Sequence, residues 1–201
     1  ARLPELLPLI QQQNYFVIHA PRQVGKTTAM IALAQELTAS GDYTAVMLSV
    51  EVGAAFPNDP IAAEKTILEE WRQSIPFYLA PELCPSADSF EVSGDRVGPF
   101  LSLWAKQSSR PLVVFLDEID ALQDESLIAV LRQLRSGYPR RPQIFPHSLG
   151  LIGMRDVRDY KVKSGGSDRL NTASPFNIKV ASLTMDNFSF EDVQNLYQQH
   201  T

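Results

Sequence analysis

Ala20-Pro21-Arg22-Gln23-Val24-Gly25-Lys26-Thr27-Thr28 is the stretch from which the rest of the chain can be read. Overlapping its first residue, Tyr15-Phe16-Val17-Ile18-His19-Ala20 reads as a short buried strand. After it, Met30, Leu33, Ala34 and Leu37 fall at i, i+3, i+4 and i+7, the spacing of an amphipathic helix. The stretch is therefore a loop between a strand and a helix. It matches the phosphate-loop pattern G-x-x-x-x-G-K-[ST] at every position but the first, where Ala20 stands. A loop of this kind turns successive backbone N–H groups inward on phosphate oxygens. Residues Pro21, Arg22, Gln23, Val24, Gly25, Lys26, Thr27 and Thr28 are the expected contacts. Gly25 allows close backbone approach, and Lys26 reaches the β- and γ-phosphates. The Thr27 hydroxyl can ligate Mg²⁺, and the positive end of the following helix faces the phosphates. Ala20 fits a position that needs no positive φ.

Outward from this stretch the chain keeps alternating. Thr44–Val50, Leu112–Leu116, Leu149–Met154 and Ile178–Leu183 read as four further strands. Gly41-Asp42 ends the first helix. Asp59-Pro60 starts another, with Asp as cap and Pro at the first helical position, and Ile67, Leu68, Trp71 and Ile75 mark its buried face. Residues 76–95, with Pro76, Pro81 and Pro85, read as loop. Val97, Phe100, Leu101 and Trp104 restore helical spacing. Asp124 can cap a helix that buries Leu127, Val130, Leu131 and Leu134. Pro139, Pro142 and Pro146 mark a loop, residues 161–176 are polar, and Ser189 with Asp192 opens a last helix. Strands alternating with helices imply a parallel sheet covered on both faces. Ligands in such sheets sit at the carboxyl ends of the strands.

Two of those ends carry chemistry. After the third strand comes Asp117-Glu118-Ile119-Asp120, which matches a Walker B element 91 residues beyond Lys26. Asp117 is expected to serve Mg²⁺ and Glu118 to orient or deprotonate an attacking water. Asp120 reads as a helix-start or loop residue. After the fourth strand comes Arg155, placed to touch a γ-phosphate and stabilise transition-state charge. His19 and the two tryptophans, Trp71 and Trp104, read as packing residues.

Composition excludes other classes. The 201 residues are 44% hydrophobic and 20% charged, which excludes a disordered chain or a coiled coil as the main content. A net charge of −5 disfavours a protein built to coat nucleic acid. Nine basic residues still cluster within 132–169, among them Arg132, Arg135, Arg140 and Arg141; they read first as a solvated face, and otherwise as a nucleic-acid or subunit contact. A single cysteine, Cys84, rules out an internal disulfide. No apolar run approaches the roughly 20 residues that cross a bilayer. The chain reads as cytoplasmic, with no membrane partner.

The segments 20–28, 114–120 and 153–160 together resemble bacterial AAA-like ATP-binding proteins near the STAND group of the AAA+ superclass. The arginine at 155 tilts the resemblance toward STAND. The resemblance implies a three-layer α/β/α P-loop NTPase core with a parallel five-stranded sheet ordered 5-1-4-3-2. It implies ATP and Mg²⁺ as ligands, Lys26 as the phosphate lysine, Thr27 and Asp117 on the metal, Glu118 on the water and Arg155 as sensor. It also implies a core over 1–184 and, over 185–201, only the start of a helical lid, the rest of which is missing. The expected function is a slow ATP-hydrolysing switch whose nucleotide state is coupled to a lid, to self-association or to a downstream effector domain. A DNA-handling ATPase of initiator or transposition-regulator type is the alternative. The acidic pair at 117–118 argues against a purely scaffolding role.

Overall fold

Five apolar runs pair into a single parallel sheet in the computed structural model, which describes residues 5–21, 24–154 and 179–185. The strands are β1 (Tyr15–His19), β2 (Thr44–Ser49), β3 (Leu112–Asp117), β4 (Ser148–Gly153) and β5 (Lys179–Thr184). Their order is β2-β3-β4-β1-β5, the expected order read from the other edge. Every pairing is parallel, so His19, Ser49, Asp117, Gly153 and Thr184 finish together at one end of the sheet. Around it lie helices α1 (Leu6–Gln11), α2 (Lys26–Ala39), α3 (Pro60–Tyr78), α4 (Ala87–Val92), α5 (Val97–Gln107) and α6 (Asp124–Gly137).

The three layers follow from the two-residue period of a strand. In β1, Tyr15 and Val17 enter one apolar core while Phe16 and Ile18 enter the other. In β3, Leu112, Val114 and Leu116 face the first core, and Val113 and Phe115 the second. Helices α3 to α6 cover the first face and α1 and α2 the second. Gly150 of β4 sits where a Cβ would come within 2.7 Å of the Phe16 ring and 2.9 Å of Phe115. Its missing side chain lets those two rings pack 6.4 Å apart.

Both tryptophans are core, and each also ties down an element. The Trp71 indole donates to the Ser49 carbonyl at 2.7 Å, fixing α3 against the end of β2. The Trp104 indole donates to the Leu83 carbonyl at 3.2 Å. That second bond anchors a segment that is more structured than its sequence suggests. Residues 76–95 are not a plain loop: α3 runs through Pro76 to Tyr78, a 3₁₀ turn spans Pro81–Leu83, and α4 follows. Pro76 falls in the last turn of α3, where it removes the one N–H that would bond the Arg72 carbonyl while the Leu79 N–H still closes the helix on Ile75. Phe90 of α4 then packs 4.5 Å from Phe100. Asp59 caps α3 as expected, accepting from the Ala62 N–H at 3.1 Å. Asp124 does not act as a cap: Gln123 holds that position, and Asp124 is the first helical residue. The loop expected around Pro139 contains a 3₁₀ turn over Tyr138–Arg140. The last helix, expected from Ser189, lies outside the described residues.

One buried charge organises the α3–α5–α6 layer. Glu64 is fully buried, on the same helical face as Ile67, Leu68 and Trp71. It accepts from Arg96 at 2.9 Å, from the Gln133 amide at 2.8 Å and from the Val97 N–H at 2.9 Å. Removing it would leave several donors buried without an acceptor. Glu64→Ala is expected to destabilise the fold by about 3 kcal/mol, as breaking a buried charged network does. Glu64→Gln should recover part of that, and chemical denaturation reads both.

His147 is buried beneath α1. Its Nε2 meets the Ile10 carbonyl at 2.9 Å, so Nδ1 is the unprotonated nitrogen, and among the described residues it is buried without a partner. Burial holds the imidazole below its ordinary value, with Arg141 adding to the effect and the Ile10 carbonyl opposing it. The folded state therefore favours the neutral ring. This contribution to stability is complete above pH about 6.5 and is lost as pH falls through the folded value. The melting temperature should drop between pH 7.5 and 5.5, and His147→Gln should flatten that dependence.

Candidate functional site

The carboxyl ends of β1, β3 and β4 surround a cleft of about 430 Å³. Gly25, Lys26, Thr27, Asp117 and Glu118 line it, together with Glu51, Gly153 and Met154. The chain enters from β1 through Ala20, whose N–H donates to the Gly153 carbonyl at 3.2 Å. Gly25 then adopts φ 78° and ψ 24°, a left-handed turn that favours glycine. That turn lets α2 begin at Lys26, with the unpaired N–H groups of its first turn at the cleft end of the helix. The Lys26 ammonium folds back over the loop, donating to the Ala20 carbonyl at 2.8 Å and to the Pro21 carbonyl at 2.7 Å. Val24 is buried in the core beneath α2, which anchors the loop from below.

Residues 90 positions apart meet across the cleft. The Thr27 hydroxyl donates to Asp117 Oδ2 at 2.7 Å. Asp117 Oδ1 accepts from the Glu118 N–H at 3.0 Å. Asp117 ends β3 and is buried, while Glu118 steps out of the strand into the cleft rim. Glu118 has φ 57° and ψ 37°, left-handed for a residue with a side chain. Such a conformation persists only where its surroundings enforce it, and it is found most often at functional sites. The Glu118 carboxyl is held above its ordinary range, first by partial desolvation and then by Asp117, Asp120 and Glu51, with Lys26 opposing.

The donor set suits a small hard cation beside phosphates. One hydroxyl and one carboxylate are few protein ligands, and both are oxygen donors. Among the described residues no group of three or more His, Cys, Asp or Glu side chains could hold a metal on protein ligands alone. A lysine, a helix N-terminus and a glycine turn stand on the other side of the same cleft, as an anionic ligand requires.

Thr28 is exposed on the first turn of α2, and Pro21 is exposed at the loop start. Arg22, Gln23 and Arg155 lie outside the described residues. Sequence reading missed Glu51, two residues beyond β2, and Gly153 with Met154 at the end of β4. The rule that ligands gather after parallel strands points to all three positions. It also missed the reach of Asp120, which lies inside a 3₁₀ turn over Ile119–Ala121 and bonds across to β4. His19 is partly buried, 3.4 Å from the Thr184 hydroxyl, and does not line the cleft.

The basic cluster divides. Arg132, Arg135 and Arg140 are exposed. Arg141 is structural: its guanidinium stacks 3.4 Å from the Tyr138 ring and donates to the carbonyls of Gln13 and Tyr138 at 2.8 and 2.7 Å. Those contacts lie at the amino end of β1, away from the cleft. The other five basic residues of the cluster, from Arg155 to Arg169, lie outside the described residues. No described helix is long and apolar enough to cross a membrane.

Comparison with known proteins agrees with this geometry. Among solved structures, a DNA replication initiation factor superposes with a TM-score of 0.52 at 12% identity, covering 98% of this chain and 50% of that one. The Aeropyrum pernix ORC1 protein, solved in complex with DNA, superposes with a TM-score of 0.51 at 14% identity, covering 98% and 47%. At such identities the likeness is one of fold, and the chain spans about half the length of these structures. No curated protein matches the sequence. The profile of the ATPase family associated with various cellular activities (AAA) matches residues 16–141, from β1 through the turn after α6. With a phosphate loop after β1 and an acidic pair after β3 inside that match, the chain belongs to the AAA family.

Proposed function

We propose that the chain binds MgATP in this cleft, hydrolyses it slowly, and acts as a switch whose nucleotide state is read by a lid, a second subunit or an effector domain. The observation that carries the reading is the Thr27–Asp117 hydrogen bond, which sets two oxygen donors 2.7 Å apart in the cleft that Lys26 and Glu118 also line. In this reading the backbone of residues 21–28 cradles the phosphates, and Lys26 exchanges the Ala20 and Pro21 carbonyls for phosphate oxygens. Thr27 and Asp117 hold Mg²⁺, which neutralises charge on the β- and γ-phosphates when bound. Glu118 orients the attacking water. Arg155, two residues past β4, stabilises charge on the γ-phosphate, and its identity supports a STAND-type subclass. Residues 1–184 form the core and 185–201 begin a lid. Glu118→Gln is expected to keep ATP bound while turnover falls about a hundredfold or more, the usual cost of losing a general base. Unchanged turnover in single-turnover assays would contradict the role of Glu118.

The second reading is a DNA-handling ATPase. The exposed arginines on and after α6 and the fold shared with an ORC1 protein solved in complex with DNA favour it. It requires duplex binding that weakens with salt. Combined replacement of Arg132, Arg135 and Arg140 by Ala should then lower affinity and flatten the salt dependence. Arg141 is unsuitable for the test because it anchors the fold. Binding by the triple variant equal to the parent would remove this reading.

A further inference from the structure

We propose that Asp120 is a positioning residue that locks the end of β4 to the acidic loop after β3, so that Glu118 is held in register with the phosphate loop. This rests on the hydrolytic reading above and deepens it. The Asp120 carboxylate leaves its 3₁₀ turn and crosses to the neighbouring strand. Its Oδ2 accepts from the Met154 N–H at 3.3 Å, at the long end of such bonds. Its Oδ1 is buried and without a hydrogen-bond partner among the described residues. A Cβ at Gly153 would stand 2.8 Å from that Oδ1. The carboxylate can therefore come this close only because residue 153 carries no Cβ.

Gly153 is held from its other side as well. It pairs with His19 in the sheet, and its carbonyl accepts from the Ala20 N–H. One backbone joint thus ties the first residue of the phosphate loop to β4, and Asp120 ties β4 to the turn that begins at Glu118. The Ala121 N–H donates back to the Glu118 carbonyl at 2.9 Å, closing that turn. The left-handed backbone at Glu118 needs such an enforcing frame. Gly153 and Met154 share the cleft lining with Lys26 and Thr27, but the Asp120 carboxylate is not among the groups that line it. Loss of the lock should therefore act on turnover more than on binding.

The test is a set of variants in the same chain: Asp120→Ala, Asp120→Asn, Gly153→Ala and the double Asp120→Ala/Gly153→Ala. Steady-state hydrolysis gives kcat and KM, and calorimetry gives the MgATP affinity. Asp120→Ala is expected to lower kcat about tenfold with affinity within about threefold, and Gly153→Ala to lower kcat to a similar extent. Asp120→Asn, which keeps an acceptor oxygen, should recover most of the loss. The double variant should be little worse than Asp120→Ala, because the added methyl then meets only the Ile119 side chain, at 3.3 Å, and no carboxylate. Additive losses in the double variant, a defect in Asp120→Asn equal to that of Asp120→Ala, or unchanged kcat in Asp120→Ala would each overturn the lock. A parent chain that binds MgATP without hydrolysing it would instead contradict the hydrolytic reading, and the lock's role would fall with it.

Discussion

Burial of the sheet on both faces is the constraint on which the rest of the molecule depends. A parallel sheet offers no solvated face, so each strand must supply apolar side chains in both directions. β1, β2 and β3 do this residue by residue, sending alternate side chains into two separate cores. Polar chemistry is thereby excluded from the strands themselves and displaced to their ends. Asp117 is the last residue of β3, Lys26 the first of α2, and Gly153 the last of β4. The cleft exists because three chain crossings leave the sheet at the same edge.

Within that edge, geometry comes from short-range devices. A left-handed glycine lets α2 start where its N–H groups face the cleft, and a left-handed glutamate turns the chain out of β3. The Lys26 ammonium closes the loop on its own carbonyls, and Thr27 already rests against Asp117. The donors that an anionic ligand and its cation would use are thus engaged with one another. Binding would replace those contacts more than it would build a site anew, which reduces the ordering cost of association.

Much of the architecture is legible in the sequence because two periods compete cleanly. Runs such as Leu112–Leu116 are too short for helices, and the spacing of Leu127, Val130, Leu131 and Leu134 admits little but a helix. The 76–95 segment misled because proline density outweighed its apolar residues. Leu83 and Phe90 find their place in the core beside α3 and α5, tertiary contacts with no local signal. Glu64 falls at helical spacing from Ile67, Leu68 and Trp71, yet its burial depends on Arg96 and Gln133, contributed by later segments. In the site, the loop residues and the Asp117–Glu118 pair are recognisable by type and order. Glu51 is marked only by its position after a strand and not by its type, and the bond from Asp120 to Met154 has no signal, because strand order, not sequence proximity, brings those residues together.

The central claim is that Lys26, Thr27, Asp117 and Glu118 form a working nucleotide site. The most direct measurement is a calorimetric titration of the chain with MgATP beside Lys26→Ala. The account predicts saturable binding that the substitution weakens at least tenfold, about 1.4 kcal/mol or more. Equal binding by the two proteins, or none by the parent, would contradict it.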